Sequence, residues 1–208
     1  YSYTVDVEVL KESRIVKRAN SSQIGIVRQD KYRFPVPGGE PLLHPPVIVG
    51  SGPAGLFCGL MLAEAGYMPV LLERGEDVDG RKKKVERFWQ EGILDPQTNV
   101  QFGEGGAGTF SDGKLNTLVK DPGMRGQKAL EILVEHGADP EILYAQKPHM
   151  GTDVLSEVVK NIRRHIIDLG GSVRFKSQVT DLVIQDKRIQ GVMVNGQEFV
   201  RADQVVLA

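Results

Sequence analysis

The sequence of 208 residues holds one cysteine, Cys58, and four histidines. A single thiol excludes an internal disulfide and a cysteine-based zinc site. It fits a reducing compartment, so a cytoplasmic location is expected. His44, His136, His149 and His165 show no ligand spacing, so no metal site is expected. No apolar run approaches the roughly 18–20 residues of a membrane helix. Residues 1–12 lack the basic start and sustained apolar stretch of a signal peptide. Neither charge is in excess: 26 Lys and Arg face 27 Asp and Glu, a formal net charge of -1. That balance argues against a whole-surface grip on nucleic acid, though not against a local patch. There is no internal repeat and no low-complexity tract.

What the sequence does have is glycine. The 24 glycines exceed the usual share of roughly 7%, and they cluster. With 40% hydrophobic and 25% charged residues, the chain can bury a real core. It starts at Tyr1 and stops at Ala208, inside what reads as a buried strand, so it reads as a fragment.

Residues 1–44 read as a small N-terminal α+β module ending in a linker. Residues 1–10 are rich in β-branched and aromatic residues and alternate in places, which predicts a strand. Residues 11–34 carry seven Lys and Arg against Glu12 and Asp30. Residues 35–46 hold five prolines and two glycines, which marks a boundary. From residue 45 the composition changes. The pattern predicts an apolar strand at 46–49, an almost uncharged helix at 54–65, an apolar strand at 69–72 and a charged helix at 78–91. Residues 93–124 have no clear periodicity. Helices are predicted at 125–136 and at 153–169, the latter with Thr152 or Asp153 as its cap and Gly170 at its end. Strands follow at 172–176, 179–185, 189–194, 197–200 and 204–208, and Asn195-Gly196 signals a type I′ hairpin.

Gly50-Ser51-Gly52-Pro53-Ala54-Gly55 matches the dinucleotide fingerprint GxGxxG. A strand precedes it, a helix opens from it, and a second strand ends in an acid. Gly50 permits the turn, Gly52 lets the backbone approach a diphosphate, and Gly55 lets the helix pack against the strand. The amides at the helix start, Pro53 apart, then face the phosphates. Glu73, at the end of the second strand, is expected to accept from the ribose hydroxyls of an adenosine. Cys58, inside this helix, reads as a core thiol.

A second glycine-rich segment runs from Gly103 to Asn116. Its backbone must approach something closely or turn through positive φ. Gly105, Gly106, Ala107, Gly108, Thr109, Lys114 and Asn116 are the candidate cofactor contacts. The amides of Ala107 and Thr109 are expected to point at the diphosphate or at the polar edge of a flat ring. A flexible surface loop is the alternative.

GSGPAGLFCGLMLAEAG, Glu73-Arg74-Gly75 and FGEGGAGTFSDGKLNT, together with KPHMGTDVLSEVVKNIRRHIIDLGG and the final AD-VVLA, resemble the bacterial FAD-dependent dehydrogenases, often called NAD/FAD-utilising dehydrogenases. The similarity covers most of residues 45–208. It implies FAD as cofactor and an α/β fold: a Rossmann-type FAD-binding domain of glutathione-reductase-like topology, whose parallel sheet is interrupted by a β-meander near residues 181–200. It also implies that Arg74 sits at the cofactor and that the backbone of Val179 meets the adenine. In related flavoproteins the chain continues to a substrate region and a closing Gly-Asp. The resemblance therefore covers the adenine half of FAD better than the flavin half, and it leaves open catalytic residues beyond Ala208.

Lys114 and His149 are the candidate catalytic residues. A cation near a flavin favours its reduced anion, and a neutral histidine can pass a proton. A solvated lysine and a loop histidine are the alternatives. Arg81-Lys82-Lys83-Lys84, with Arg87, reads as the wet face of a helix. The expected function is that of an FAD-dependent oxidoreductase, a dehydrogenase acting on a small molecule with NAD(P)H as a possible donor. Membrane and nucleic-acid partners are not expected. The alternatives are a flavin-dependent RNA-modifying enzyme, suggested by the basic stretch, and a non-enzymatic nucleotide sensor.

Overall fold

A computed structural model describes residues 2–27, 30–36, 38–115 and 119–208. In chain order the elements are α1 (Glu12–Ala19), β1 (Val47–Val49), α2 (Pro53–Glu64), β2 (Val70–Leu72), α3 (Val78–Glu91), α4 (Arg125–Glu135), α5 (Thr152–Asp168), β3 (Ser172–Arg174), β4 (Val179–Gln185), β5 (Arg188–Val194), β6 (Glu198–Arg201) and β7 (Val205–Leu207). Short 3-10 turns occupy Ala107–Phe110 and Pro140–Leu143.

Strands β3, β2, β1 and β7 lie side by side in a parallel sheet. Its register puts Ile48 beside Leu71, and Val47 and Val49 beside Val70 and Leu72. Alternation then sends the two sets to opposite faces. Ile48 and Leu71 join the core made with α2, α4 and α5, which includes Leu56, Leu60, Ile132, Val158, Ile162 and Ile166. Val47 and Leu72 join Val192, Val194 and Ala202 in a second core. That second core belongs to the antiparallel meander β4-β5-β6, which covers the other face. Burial on both sides explains why β1 and β2 read as unbroken apolar runs. Asn195 (φ 53) and Gly196 (φ 70) both take positive φ, as a type I′ turn requires.

Helix α2 begins with Pro53, whose missing N–H costs nothing at a first helical position. A Cβ on Gly59 would lie 2.8 Å from Leu71 Cδ1, so helix and sheet are in direct contact there. In α3 the Asp77 side chain caps the start by accepting from Gly80 N at 2.8 Å, and Gly92 closes the end. Helix α5 departs from expectation at its start. Its cap is Gly151, with no side-chain cap bond, and both Thr152 and Asp153 are already helical. Strand β3 stops at Arg174, two residues early, and Lys176 beyond it turns left-handed (φ 53).

The N-terminal α+β module is corrected. Among the described residues before 45 there is no strand, and α1, the one helix, buries no residue. Tyr3, Val5 and Val7 alternate as a strand would, yet all are exposed. Alternation encodes a face, not a partner, and a strand without a partner leaves its ladder groups unmade. The linker is anchored at its end: Asp203 accepts from the amides of Leu43 and His44 and lies 3.0 Å from His44 Nδ1. Among the described residues, no helix is long and apolar enough to cross a membrane.

Candidate dinucleotide site

The fingerprint turn leaves β1 and enters α2. Gly50 N donates to Leu72 O at 2.8 Å, and Leu56 N to Gly52 O at 2.9 Å, which starts the helix. Gly55 packs so tightly that a Cβ there would sit 2.0 Å from Gly50 O. Among the described residues, the amides of Gly52 and Ala54 have no protein acceptor. Pro53 and Ala54 are exposed. The turn therefore offers unpaired N–H groups at the positive end of α2.

Glu73 corrects its expected role. A ribose acceptor needs open lone pairs, but this carboxylate is only 4% exposed. Its Oε2 accepts from Ser51 N (2.9 Å) and Ser51 Oγ (2.8 Å). Its Oε1 accepts from Gly75 N (2.8 Å) and Gly103 N (3.0 Å). Four donors fill the capacity of a carboxylate. Glu73 thus ties the fingerprint turn, the end of β2 and the glycine-rich segment into one unit. Arg74 turns aside: its Nε and Nη2 donate to Gln97 Oε1, and its guanidinium lies 4.0 Å from the Phe102 ring centroid.

The glycine-rich segment lies on the fingerprint. Gly105 N donates to Ser51 O at 2.9 Å. A Cβ on Gly106 would lie 2.9 Å from Pro53 Cδ and 3.2 Å from Gly52 Cα. Ala107 is exposed and Gly108 partly so, and among the described residues their amides have no acceptor. Two rows of unpaired amides are thus adjacent. Thr109 corrects its expectation, because it is buried, its N–H turns to Gly106 O, and its Oγ1 donates to the same oxygen at 2.9 Å.

Two charged residues that shape this segment were not expected there. Arg81 was assigned to a wet helix face, but it is fully buried. It shares the inner stripe of α3 with Val78 and Val85, and that i, i+3, i+7 spacing was the sequence signal available. Burial holds its guanidinium pKa down at about 10, while the Glu73 and Glu104 carboxylates pull it upward.

Glu104 is also fully buried. Its Oε2 accepts from Val78 N at 2.9 Å and pairs with Arg163 at 3.3 Å. Among the described residues, its Oε1 has no partner. Burial raises its pKa to about 7, against the pull of Arg163. From its ordinary value to about 7 the folded state then holds more protons than the unfolded one, so stability falls as pH rises and levels off above that window. Glu104→Gln removes this titration. On going from about pH 4.5 to pH 8, its stability relative to wild type should improve by on the order of 3 kcal/mol. Thermal unfolding at the two pH values checks this, and an unchanged difference would contradict it.

Lys114 and His149 are brought together as an isolated antiparallel bridge. Leu115 N donates to Pro148 O, and Met150 N to Gly113 O. Both side chains are exposed, and Lys114 Nζ pairs with Asp112 at 2.7 Å. Val179 opens β4 two residues after Ser177, whose amide donates to Glu73 O at 2.8 Å, and it packs against the core of Val47 and Leu72. Asn116 lies outside the described residues.

No protein-family model matches the chain. It is 44% identical over 207 residues to an uncharacterized protein of Clostridium beijerinckii, which covers 100% of this chain and 38% of that one. Over 55 residues, 26% of this chain and 5% of that one, it is 40% identical to YgfK of Escherichia coli K12, provisionally named an oxidoreductase. The chain therefore spans less than two fifths of the length of these curated relatives. Among solved structures, glycine oxidase from Bacillus cereus matches with a TM-score of 0.52 over 78% of this chain and 55% of that one, at 14% identity. That likeness is one of fold. The chain has a Rossmann-type α/β fold, a parallel sheet with an inserted antiparallel meander, in common with glycine oxidase.

Proposed function

We propose that these residues form the dinucleotide-binding part of an FAD-dependent oxidoreductase, which passes a hydride or electron pair between a donor and a small molecule. The observation that carries the reading is the pairing of two rows of amides without a partner among the described residues, Gly52 and Ala54 at the start of α2 and Ala107 and Gly108 on the glycine-rich segment. Two linked phosphates match two adjacent rows of donors, whereas the single phosphate of FMN would leave one row unanswered. The fold held in common with glycine oxidase and the similarity to YgfK support an oxidoreductase.

Bound FAD would supply the redox chemistry itself. The chain's part is to bind and orient. The start of α2 and the Ala107 amide would grip the diphosphate, and the backbone of Val179, at the start of β4, would meet the adenine. Lys114, within the glycine-rich segment, and His149, bridged to it, are the chain's candidates for holding charge or a proton near the reacting ring. The reading takes NAD(P)H as donor and, on the single cysteine, the cytoplasm as compartment. It predicts that full-length protein is yellow, with bands near ~370 and ~450 nm, and releases FAD on heating. Release of FMN alone, or of NAD alone, from folded protein would overturn it.

A further inference from the structure

Among the described residues, the side chain with the most hydrogen-bond partners is one that the proposed reading does not use. Arg81 is fully buried, yet among the described residues it forms no ion pair with a carboxylate, and its donors go to backbone carbonyls and Thr109. Its Nε donates to Asn99 O (2.8 Å), its Nη2 to Val100 O (2.7 Å), and the two hydrogens of its Nη1 to Glu104 O and Gly106 O (both 2.7 Å), with Thr109 Oγ1 sharing one of them at 3.0 Å. Gly103 O is a further acceptor at 3.3 Å. A Cβ on Gly103 would lie 2.5 Å from Arg81 Cδ, so the backbone wraps the side chain closely. Phe110 caps the far side, 4.8 Å from the guanidinium, and carries the single tryptophan, Trp89, edge-on.

The consequence follows from peptide geometry. In a trans peptide the C=O and the next N–H point in opposite directions, and there is no cis bond among the described residues. Each carbonyl drawn inward to Arg81 turns an amide outward. Behind Gly103 O, the Glu104 amide reaches Glu76 O. Behind Glu104 O, the Gly105 amide reaches Ser51 O in the fingerprint turn. Behind Gly106 O, the Ala107 amide reaches no protein atom among the described residues, and Gly106, to which it is joined, packs against Gly52 and Pro53.

We propose that Arg81 is a positioning residue: by drawing the carbonyls of Asn99, Val100, Gly103, Glu104 and Gly106 inward, it fixes the Ala107 amide, with that of Gly108, as the second jaw of a diphosphate clamp whose first jaw is the start of α2. This rests on the dinucleotide reading. The clamp depends on the planar fan of donors rather than on charge, which separates arginine from lysine here. Unpaired carbonyls left without the fan would rotate and take the amides with them.

The test uses full-length protein, with FAD titrated by fluorescence and amide exchange followed by mass spectrometry. In wild type, FAD should slow exchange in residues 105–110. Arg81→Lys should weaken FAD by about tenfold or more, the equivalent of one charge-assisted hydrogen bond, and should lose that protection. Arg81→Gly should be restored in part by millimolar guanidinium and not by ammonium. Wild-type affinity in Arg81→Lys, or equal rescue by ammonium, would overturn the proposal. If both variants fail to fold, the wild-type exchange decides, and unchanged exchange at 105–110 on FAD binding overturns it. Failure of wild type to bind FAD would instead overturn the dinucleotide reading.

Discussion

Gly55→Ala should abolish dinucleotide binding and destabilise the fold by roughly 3 kcal/mol or more, at or beyond the upper range for overpacking. The added Cβ would lie 2.0 Å from Gly50 O and 3.0 Å from Gly50 C. Those are backbone atoms, and they cannot step aside. Gly50 N is held by Leu72 O, and Ser51 is held twice by Glu73. Relief must come from moving α2 away from β1, which opens the core at Leu56 and Leu60 and displaces the amides that meet the phosphates. Gly52→Ala is the contrasting case. Its Cβ would meet only Gly106 Cα, at 3.9 Å, so stability should hardly change, while the new methyl group intrudes on the diphosphate. Urea unfolding and FAD titration of both variants separate the effects. A Gly55→Ala protein with wild-type stability would show that the turn is not packed as described.

Glu73→Ala should cost roughly 3–5 kcal/mol of stability, with or without cofactor. Its removal strands the amides of Ser51, Gly75 and Gly103 in a region shut off from water. Ser51 Oγ can rotate to another acceptor, but backbone donors cannot. Glu73→Gln should fall between, because one oxygen still accepts from two donors and Ser51 Oγ can accept from the new amide. A ribose-binding carboxylate would behave otherwise, with Ala weakening the ligand and sparing the apo protein. Urea midpoints of the apo proteins decide between the two, and an apo Glu73→Ala as stable as wild type would contradict the clamp.

The sequence showed most where the cause is local. Helix α3 has the expected ends, 78 and 91, and what sets them is local: the Asp77 side chain caps its start and Gly92 turns left-handed at its end. The Asn195-Gly196 turn follows from two residues that tolerate positive φ. The fingerprint and the glycine-rich segment were legible because a missing side chain implies something close by. What was not legible depends on partners distant in sequence. Residues 2–10 alternate like a strand, but nothing in the described chain pairs with them. Glu73 looked like a free strand-end acid because its fourth donor, Gly103, lies 30 residues away. Arg81 was hidden in a basic run. Lys82 and Lys83 beside it are exposed, and only the helical phase separates them from it.

The most direct measurement is the position of the diphosphate in a structure of the full-length protein with FAD. The account predicts phosphate oxygens at about 3 Å from Ala54 N and from Ala107 N at once, with Arg81 still holding Gly106 O. A diphosphate more than about 6 Å from both amides, farther than one bridging water spans, would contradict it.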